Sequence, residues 1–258
     1  MNYSTVSVIS NKPVVKNYGR IKLDASEIAA TSKPGQFIML KYWKGDVPYF
    51  MRPFSINSAD RNAGTIEVLY KVVGVGTDLL RDLEAGAEVK ILAPLGNWFE
   101  IKKHYKRAAV VGRGVGAAPM RYLAEELKRQ GIDTYVYISA SSPEYLFDQA
   151  YFEKAGCTFK QLTDDTKKVT SLFEEDLKSN KFDVAFTCGS NRLIRDLGRL
   201  MDIHGFEAYA SMEEHMACGI GACKGCVITV YDEGKSEYVR VCREGPVFPI
   251  KRLVGDNV

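Results

Sequence analysis

The sequence lacks the features that would place the protein in a membrane or outside the cell. No apolar run approaches the roughly eighteen residues needed to span a bilayer. The amino terminus, Met1-Asn-Tyr-Ser-Thr-Val-Ser-Val, has no basic segment followed by an apolar core, so we expect no signal peptide. Six cysteines without an export signal favour a reducing compartment, in which thiolates bind metals more readily than they form disulfides. We therefore expect a cytoplasmic protein that does not bind a membrane.

The sequence also has little excess charge of either sign. The 35 Lys and Arg residues against 32 Asp and Glu residues give a formal net charge of +3, which is too weak to favour nucleic acid as a partner. A hydrophobic content of 46% and a charged content of 26% are ordinary for a soluble globular protein. A chain of 258 residues can bury a substantial core, and we expect it to divide into two or three domains.

Four of the six cysteines form one spaced group near the carboxyl end. Cys218, Cys223, Cys226 and Cys242 follow the pattern C-x4-C-x2-C-x15-C. Plant-type [2Fe–2S] clusters use C-x4-C-x2-C with a distant fourth cysteine, so that one tight loop and one returning strand supply the thiolates. Glycines between these cysteines suit such a loop, because glycine takes positive φ at little cost and lets backbone N–H groups approach sulfur. The spacing predicts a [2Fe–2S] cluster on these four residues.

Two other interpretations of the cysteines are weaker. Disulfides are disfavoured because nothing else indicates an oxidising compartment. A structural zinc site also uses four thiolates, but such sites more often pair two C-x2-4-C knuckles than a three-cysteine loop with a lone Cys242. Cys157 and Cys188 lie outside the group, and a free buried thiol is the default for each.

Residues 1–101 have the pattern of an antiparallel β domain. Turn signals separate short β-branched or alternating segments without long helices between them, which favours a barrel or a sandwich. Arg52-Pro-Phe-Ser55 places a phosphate-binding guanidinium on one strand, although an edge strand with a surface arginine would also explain it. Gly74-Val-Gly-Thr77 leads into a short helix and could bind phosphate through its backbone, or it could be a simple turn.

Residues 102–208 alternate between strands and helices, including a predicted helix over 144–155, which indicates a parallel sheet with helices on both faces. The first strand leads into Gly112-Arg-Gly-Val-Gly116, a glycine-rich turn at the position where dinucleotide folds hold a pyrophosphate. The usual ribose-binding carboxylate is missing after the second strand, where Ser139-Ala-Ser-Ser142 stands instead, so the choice between NAD and NADP is open. The last strand brings Cys188 to the same edge, either as a functional thiol or as a small buried side chain.

Together these motifs resemble the ferredoxin–NAD(P) reductase superfamily, in the order FAD barrel, nucleotide domain and cluster domain. Glu213-Glu-His-Met-Ala-Cys218 and Val241-Cys-Arg-Glu-Gly-Pro-Val-Phe248 resemble the iron–sulfur domain of one branch, the electron-transfer subunits of the NAD-linked, two-subunit dihydroorotate dehydrogenases. The resemblance implies an antiparallel β-barrel for FAD (1–101), an α/β parallel-sheet domain for NAD(P) (102–208) and a small β-rich [2Fe–2S] domain (209–258). It covers nearly the whole chain.

The resemblance also implies roles for individual residues. NADH would bind near Gly114, Gly116 and Cys188 and pass a hydride to FAD, with Cys188 as the catalytic residue. Electrons would pass through the cluster to an FMN-containing catalytic dehydrogenase subunit, in a heterotetramer of two plus two, where dihydroorotate becomes orotate. The residues that would hold FAD are Arg52, Pro53, Phe54, Ser55, Gly74, Gly76 and Thr77, and those that would hold NAD(P) are Gly112, Gly114 and Gly116.

Two departures and two alternatives accompany this hypothesis. Arg113 replaces a usual glycine and could crowd the pyrophosphate or contact a 2′-phosphate, and an arginine that the family often places after the second strand is missing. The chain could instead serve a different redox partner, or it could be a zinc-stabilised binding module with a degenerate flavin fold. Ile220, Val247 and Phe248 are candidates for the partner surface by their position near the cysteines.

Overall fold

The computed structural model describes residues 1–45, 47–165 and 167–254. Its strands are β1 (Asn2–Val15), β2 (Tyr18–Asp24), β3 (Phe37–Lys41), β4 (Arg52–Ser55), β5 (Ser58–Asp60), β6 (Thr65–Lys71), β7 (Glu88–Leu95), β8 (Arg107–Arg113), β9 (Asp133–Ala140), β10 (Thr158–Thr163), β11 (Val184–Cys188), β12 (Glu207–Ser211), β13 (Val227–Asp232), β14 (Lys235–Arg240) and β15 (Val247–Pro249). Its helices are α1 (Ser26–Thr31), α2 (Val75–Arg81), α3 (Ala118–Arg129), α4 (Gln149–Lys154), α5 (Val169–Leu177), α6 (Asn191–His204) and α7 (Ile250–Val254). None of these helices is long and apolar enough to cross a membrane.

The first seven strands form one curled antiparallel sheet in the order β4-β3-β7-β1-β2-β6-β5. Alternate side chains of β2, such as Ile21 and Leu23, point into a core that the helix α1 closes with Ile28. This alternation is the pattern expected of an antiparallel sheet with one covered face. The prediction of an antiparallel FAD-type β domain is confirmed, and the sheet has the form of a half-barrel whose edge strand β4 carries Arg52-Pro-Phe-Ser55.

The second sheet has the order β10-β9-β8-β11-β12-β15 and is parallel except for β15. Residues 108–111 of β8 are all fully buried, because α3 packs on one face of the sheet and α5 with α6 on the other. Strands covered on both faces are continuously apolar, which is why this part of the sequence shows no alternation. The predicted parallel α/β domain is confirmed. From β8 the strands are added in one direction, to β9 and β10, and from β11 in the other, to β12. Ligands of such sheets bind at the carboxyl ends of the strands where the order changes direction, here between β8 and β11.

The carboxyl-terminal part combines the cysteine loop with the hairpin β13–β14, and it also completes the second sheet. The strand β15 pairs antiparallel with β12 through Ala210 and Phe248. The predicted boundary near residue 208 falls inside β12, so the small β-rich third part is built onto the edge of the nucleotide sheet. We keep the division at 101 and 208 as a proposal about domains.

One predicted helix differs in the structure. The expected helix over 144–155 is divided into a single 3-10 turn at Pro143–Tyr145 and the helix α4, with Asp148 between them at a φ of 63°. The carboxylate of Asp148 lies 2.5 Å from Nη2 of Arg20 on β2. Asp148 therefore has an ion-pair partner in the other domain, which cannot be predicted from the helix propensity of the residues around it.

Candidate functional site

A cavity of about 410 Å³ lies where the three parts of the chain meet. The flavin-type strand β4 forms one wall with Arg52, Pro53, Phe54 and Ser55. The end of β6 and the nucleotide turn form two further walls, and the segment 211–216 that leads to the first cluster cysteine forms the last. Both predicted FAD motifs therefore open into a space shared with the nucleotide and cluster parts.

Arg52, which lines this cavity, lies against Gly76. The Nη1 atom of Arg52 donates a 2.7 Å hydrogen bond to the carbonyl of Phe50, and a Cβ atom at Gly76 would lie 3.1 Å from Nε of Arg52. The missing side chain at Gly76 therefore leaves room for the guanidinium. The planar guanidinium of Arg52 therefore lies beside the backbone of Gly76, and a guanidinium in this position suits the diphosphate of FAD.

The turn between Val73 and Thr77 is fixed by the Thr77 hydroxyl. Its Oγ1 accepts hydrogen bonds from the backbone N–H groups of Val73, at 2.8 Å, and Gly74, at 3.2 Å, and donates one to the Gly74 carbonyl at 3.0 Å. Gly74 has an extended backbone, and a Cβ atom there would have no neighbour within 4 Å. Within this predicted motif, Gly76 therefore has the stricter requirement for glycine.

The four predicted cluster cysteines lie in the loop before β13 and directly after β14. Backbone N–H groups point at three of the sulfur atoms: Cys223 N–H at Cys218 Sγ, Gly225 N–H at Cys223 Sγ and Cys242 N–H at Cys226 Sγ, each at 3.4 Å. Burial raises the pKa of Cys218, but hydrogen bonds from the loop backbone outweigh it and lower that pKa to about 6. N–H donors of this kind stabilise cluster thiolates, so the loop fits a [2Fe–2S] cluster.

The cysteine loop packs closely against neighbouring side chains at two positions, and both positions are glycines. Gly219 has a φ of 69°, and a Cβ atom there would lie 2.5 Å from Cγ of Met39. Gly221 has a φ of 85°, and its Cβ atom would lie 3.0 Å from Cβ of Arg243. Within the described residues, no three His, Cys, Asp or Glu side chains converge as ligands of a single metal ion would. A [2Fe–2S] cluster instead divides its four thiolates between two irons.

The cluster loop packs directly behind the flavin strand. Met39, which touches Gly219, pairs through the sheet with Pro53 of β4. Phe37 lines the cavity and also packs in the same apolar cluster as Cys226 and Cys242. One strand, β3, therefore separates the cysteine site from the flavin motif. A short separation of this kind is what electron transfer between the two cofactors needs.

The predicted nucleotide turn is packed tightly against the end of β11. A Cβ atom at Gly116 would lie 2.5 Å from the Cys188 carbonyl, and one at Gly112 would lie 3.0 Å from Cα of Ala117. Gly114 has a φ of 56°, which favours glycine. The turn needs these glycines for its packing, and Val115 from the same turn lines the flavin cavity.

Cys188 is fully buried, and its contact identifies a residue that the sequence hypothesis missed. Its Sγ lies 3.7 Å from Oε1 of Glu213, and Glu213 lines the flavin cavity together with Ser55. Burial raises the pKa of Glu213, and burial together with the Glu213 carboxylate raises the pKa of Cys188. Cys188 therefore reaches the cavity through Glu213, and its catalytic role stays a prediction. In the sequence, Glu213 was visible only as the first residue of the motif that leads to Cys218, and no role was predicted for it.

Arg113 points away from the glycine turn. Its guanidinium contacts Asp164, at the end of β10, through Nε at 2.9 Å and Nη2 at 2.8 Å. These two residues line a separate cavity of about 300 Å³ at the carboxyl edge of the second sheet, together with Ser139. The structure shows Arg113 bound to Asp164, and both predicted roles of Arg113, crowding of the pyrophosphate and contact with a 2′-phosphate, stay predictions.

Two of the three residues expected at a partner surface are in the core. Val247 is 5% exposed and Phe248 is 1% exposed, because both faces of the edge strand β15 are covered: Val247 packs in the core of the second sheet, and Phe248 packs against the hairpin β13–β14. Ile220, in the cysteine loop, is 39% exposed. The expectation is therefore wrong for Val247 and Phe248, and Ile220 alone of the three is accessible to a partner.

Comparison with known proteins gives the family of each part. Residues 213–254 match the iron–sulfur cluster binding domain of dihydroorotate dehydrogenase B, and residues 6–99 match the oxidoreductase FAD-binding domain. The electron transfer subunit of dihydroorotate dehydrogenase B (NAD(+)) from Geobacillus sp. (strain WCH70) is 31% identical over 260 residues, covering 98% of this chain and 99% of the relative. The subunit of the same name from Bacillus cereus (strain ATCC 14579) is 31% identical over 261 residues, with the same coverage.

A solved structure shows the same fold along nearly the whole chain. It comes from a study of flavin-based electron bifurcation by the NADH-dependent reduced ferredoxin-NADP oxidoreductase, and it superposes with a TM-score of 0.83 at 22% identity, covering 96% of this chain and 89% of that one. The predicted cofactors FAD, a [2Fe–2S] cluster and NAD(P) are confirmed by these matches, and the names of the relatives give NAD as the nucleotide. The chain belongs to the family of electron transfer subunits of dihydroorotate dehydrogenase B.

Proposed function

We propose that this chain carries electrons between NAD and a separate, FMN-containing dehydrogenase subunit that converts dihydroorotate to orotate in the cytoplasm, in an assembly of two plus two subunits. The names of the relatives support the need for a catalytic partner. The observation that carries the proposal is the single cavity bounded by the flavin strand, the nucleotide turn and the segment leading to Cys218.

The cofactors would supply complementary chemistry: a flavin exchanges a hydride with NAD and single electrons with a [2Fe–2S] centre. The protein binds and separates them. Arg52 would hold the FAD diphosphate against Gly76, and Ser55 on the same strand would hydrogen-bond the ring. The backbone at Gly114 and Gly116 would receive the nucleotide diphosphate beside Val115, which brings the nicotinamide end towards the shared cavity.

Glu213 and Cys188 would control protons at the same place. The carboxyl group of Glu213 lines the cavity, and its raised pKa allows it to hold a proton there. Cys188 fixes the carboxyl group through the contact between Sγ and Oε1. Hydride chemistry at a flavin needs one proton for charge balance, and Glu213 is an ionisable group in this cavity placed to supply it.

The experiment that tests the proposal uses the complex purified without air. Wild-type complex should reduce NAD when dihydroorotate is added. Cys242→Ser should abolish this activity while NADH still reduces the FAD of the chain, because the cluster lies beyond the flavin. Cys157→Ser is the matched control, since Cys157 is also buried but lies outside the cluster. A partner that contains no FMN, or that does not oxidise dihydroorotate, would overturn the proposed substrate.

A further inference from the structure

Arg240, the last residue of β14, reaches from the hairpin to the cysteine loop. Its Nη1 atom donates a hydrogen bond of 2.8 Å to the carbonyl oxygen of Gly221. Gly221 lies between Cys218 and Cys223 and has a φ of 85°, and a Cβ atom there would lie 3.4 Å from the same nitrogen. The contact therefore joins β14 to the part of the loop that carries the first two cluster cysteines.

Glu244 holds the Arg240 side chain in one orientation. Its Oε2 atom accepts hydrogen bonds from Nε of Arg240, at 3.0 Å, and from the backbone N–H of the same residue, at 2.7 Å. Its Oε1 atom contacts Nη2, so that the carboxylate binds the guanidinium at two points. The charge of Glu244 also weakens the field of the guanidinium at longer range. Arg240 should therefore act most strongly on the atom that it touches directly, the carbonyl oxygen of Gly221.

The Gly221 carbonyl belongs to a peptide unit whose other end faces a cluster cysteine. The backbone N–H of Cys223 lies 3.4 Å from Cys218 Sγ, and the N–H of Ala222 is a further donor to the same sulfur. The Ala222 N–H and the Gly221 carbonyl are the two ends of one peptide unit. A donor on the carbonyl polarises the unit, so its N–H becomes a stronger donor. Arg240 and Cys218 therefore lie at opposite ends of one hydrogen-bonded chain.

We propose that Arg240 is a positioning residue that raises the reduction potential of the [2Fe–2S] cluster. Reduction adds negative charge to the cluster and its thiolates, and hydrogen bonds to sulfur stabilise that charge. Arg240 strengthens one of these bonds through the peptide that follows Gly221, and it fixes that peptide in the orientation that faces Cys218. This role rests on the proposed function and deepens it, because the potential of the cluster sets how readily it takes an electron from a flavin.

The test is a redox titration of the full chain purified without air, with the electron paramagnetic resonance signal of the reduced cluster as the readout. Arg240→Ala should shift the equilibrium against the reduced cluster by about three- to tenfold, the range of a single hydrogen bond, which is about 30–60 mV for one electron. Arg240→Gln, which keeps a long side chain without the charge, should also lower the potential. Arg240→Lys keeps the charge without the planar fork and should recover part of the loss. The potential of FAD in the same sample should stay the same, because β3 separates the flavin motif from the loop.

A double variant separates the peptide contact from the net charge. Arg240→Ala combined with Glu244→Ala removes both charges of the pair, so the net charge equals that of the wild type while the Gly221 carbonyl still loses its donor. This variant should keep a lowered potential. Arg243→Ala is the matched control, because Arg243 also lies against Gly221, but its guanidinium has no hydrogen bond within the described part of the chain. It removes one positive charge and should shift the potential less than Arg240→Ala.

Three outcomes are decisive. A double variant with the wild-type potential would show that only the unpaired charge of Glu244 mattered, and would overturn the proposal. A wild-type potential in Arg240→Gln, or in an Arg240→Ala chain that keeps its iron, would also overturn it. A wild-type chain that shows the cluster signal, but whose complex does not reduce NAD with dihydroorotate, would contradict the proposed function alone.

Discussion

The close contact between Gly219 and Met39 makes Gly219→Ala a quantitative test of how the cysteine loop is held. Alanine at the φ of 69° would incur the left-handed backbone penalty, about 1–2 kcal/mol. Its Cβ would also lie 2.5 Å from Cγ and 2.9 Å from Sδ of Met39, which is fully buried on β3. Overpacking of this kind costs about 1–3 kcal/mol, so the total loss should be about 2–5 kcal/mol.

Gly86→Ala separates the two contributions. Gly86 has a φ of 87°, but a Cβ atom there would meet nothing within 4 Å. This control should lose only the backbone penalty, about 1–2 kcal/mol. In a Met39→Ala background, the effect of Gly219→Ala should fall towards the Gly86→Ala value, because the atoms that the new Cβ meets are gone.

The assay is urea unfolding of the holo-protein followed by circular dichroism, with iron counted per chain. Gly219→Ala should lose stability and cluster iron together, whereas Gly86→Ala should keep its iron. The reasoning about the loop is refuted if Gly219→Ala is no less stable than Gly86→Ala and retains full iron content.

Three further predictions concern the flavin motif and the end of the nucleotide sheet. Arg52→Ala should weaken FAD retention by about 1.5–3 kcal/mol, the value of a charge-assisted contact, and undiminished affinity in equilibrium dialysis would remove Arg52 from the phosphate site. Gly76→Ala should also release FAD, because its Cβ would displace the Arg52 guanidinium, whereas Gly74→Ala should bind FAD normally; equal affinities would contradict that contact. Burial raises the pKa of Glu207, but hydrogen bonds led by that from Lys102 outweigh it and hold the pKa at about 2. Because the folded pKa is depressed, this carboxylate stabilises the fold above its unfolded pKa of about 4.3, and the stabilisation is lost as the pH falls towards 2. Glu207→Gln should therefore lower the free energy of unfolding at pH 7 and have little effect on it at pH 2. An equal loss of stability at both pH values would exclude the ion pair.

The sequence predicted those parts of the site that depend on spacing along the chain. Cys218, Cys223 and Cys226 lie in one loop, so their ligand pattern is visible without a structure. The motif at Arg52 and the turn at Gly112 are also local, since the residues of each motif are consecutive in the sequence.

The remaining features depend on contacts between distant segments. Asp164 follows β10 and meets Arg113 at the end of β8, on the other side of β9, so this ion pair could not be predicted from spacing along the chain. Asp148, where the predicted helix is interrupted, pairs with Arg20 in the other domain, and this contact has no signal in the local sequence. Phe248 was expected at the surface because a short apolar segment near a cofactor does not reveal that it pairs with β12.

The central claim, that flavin and cluster act in series on one chain, is tested most directly by adding NADH to the purified chain without air. The account predicts that flavin absorption bleaches first and that an electron paramagnetic resonance signal of a reduced [2Fe–2S] centre follows. In Cys242→Ser, the flavin should still bleach and the signal should be absent. A colourless wild-type protein that contains zinc, or a cluster that stays oxidised after the flavin is reduced, would contradict the account.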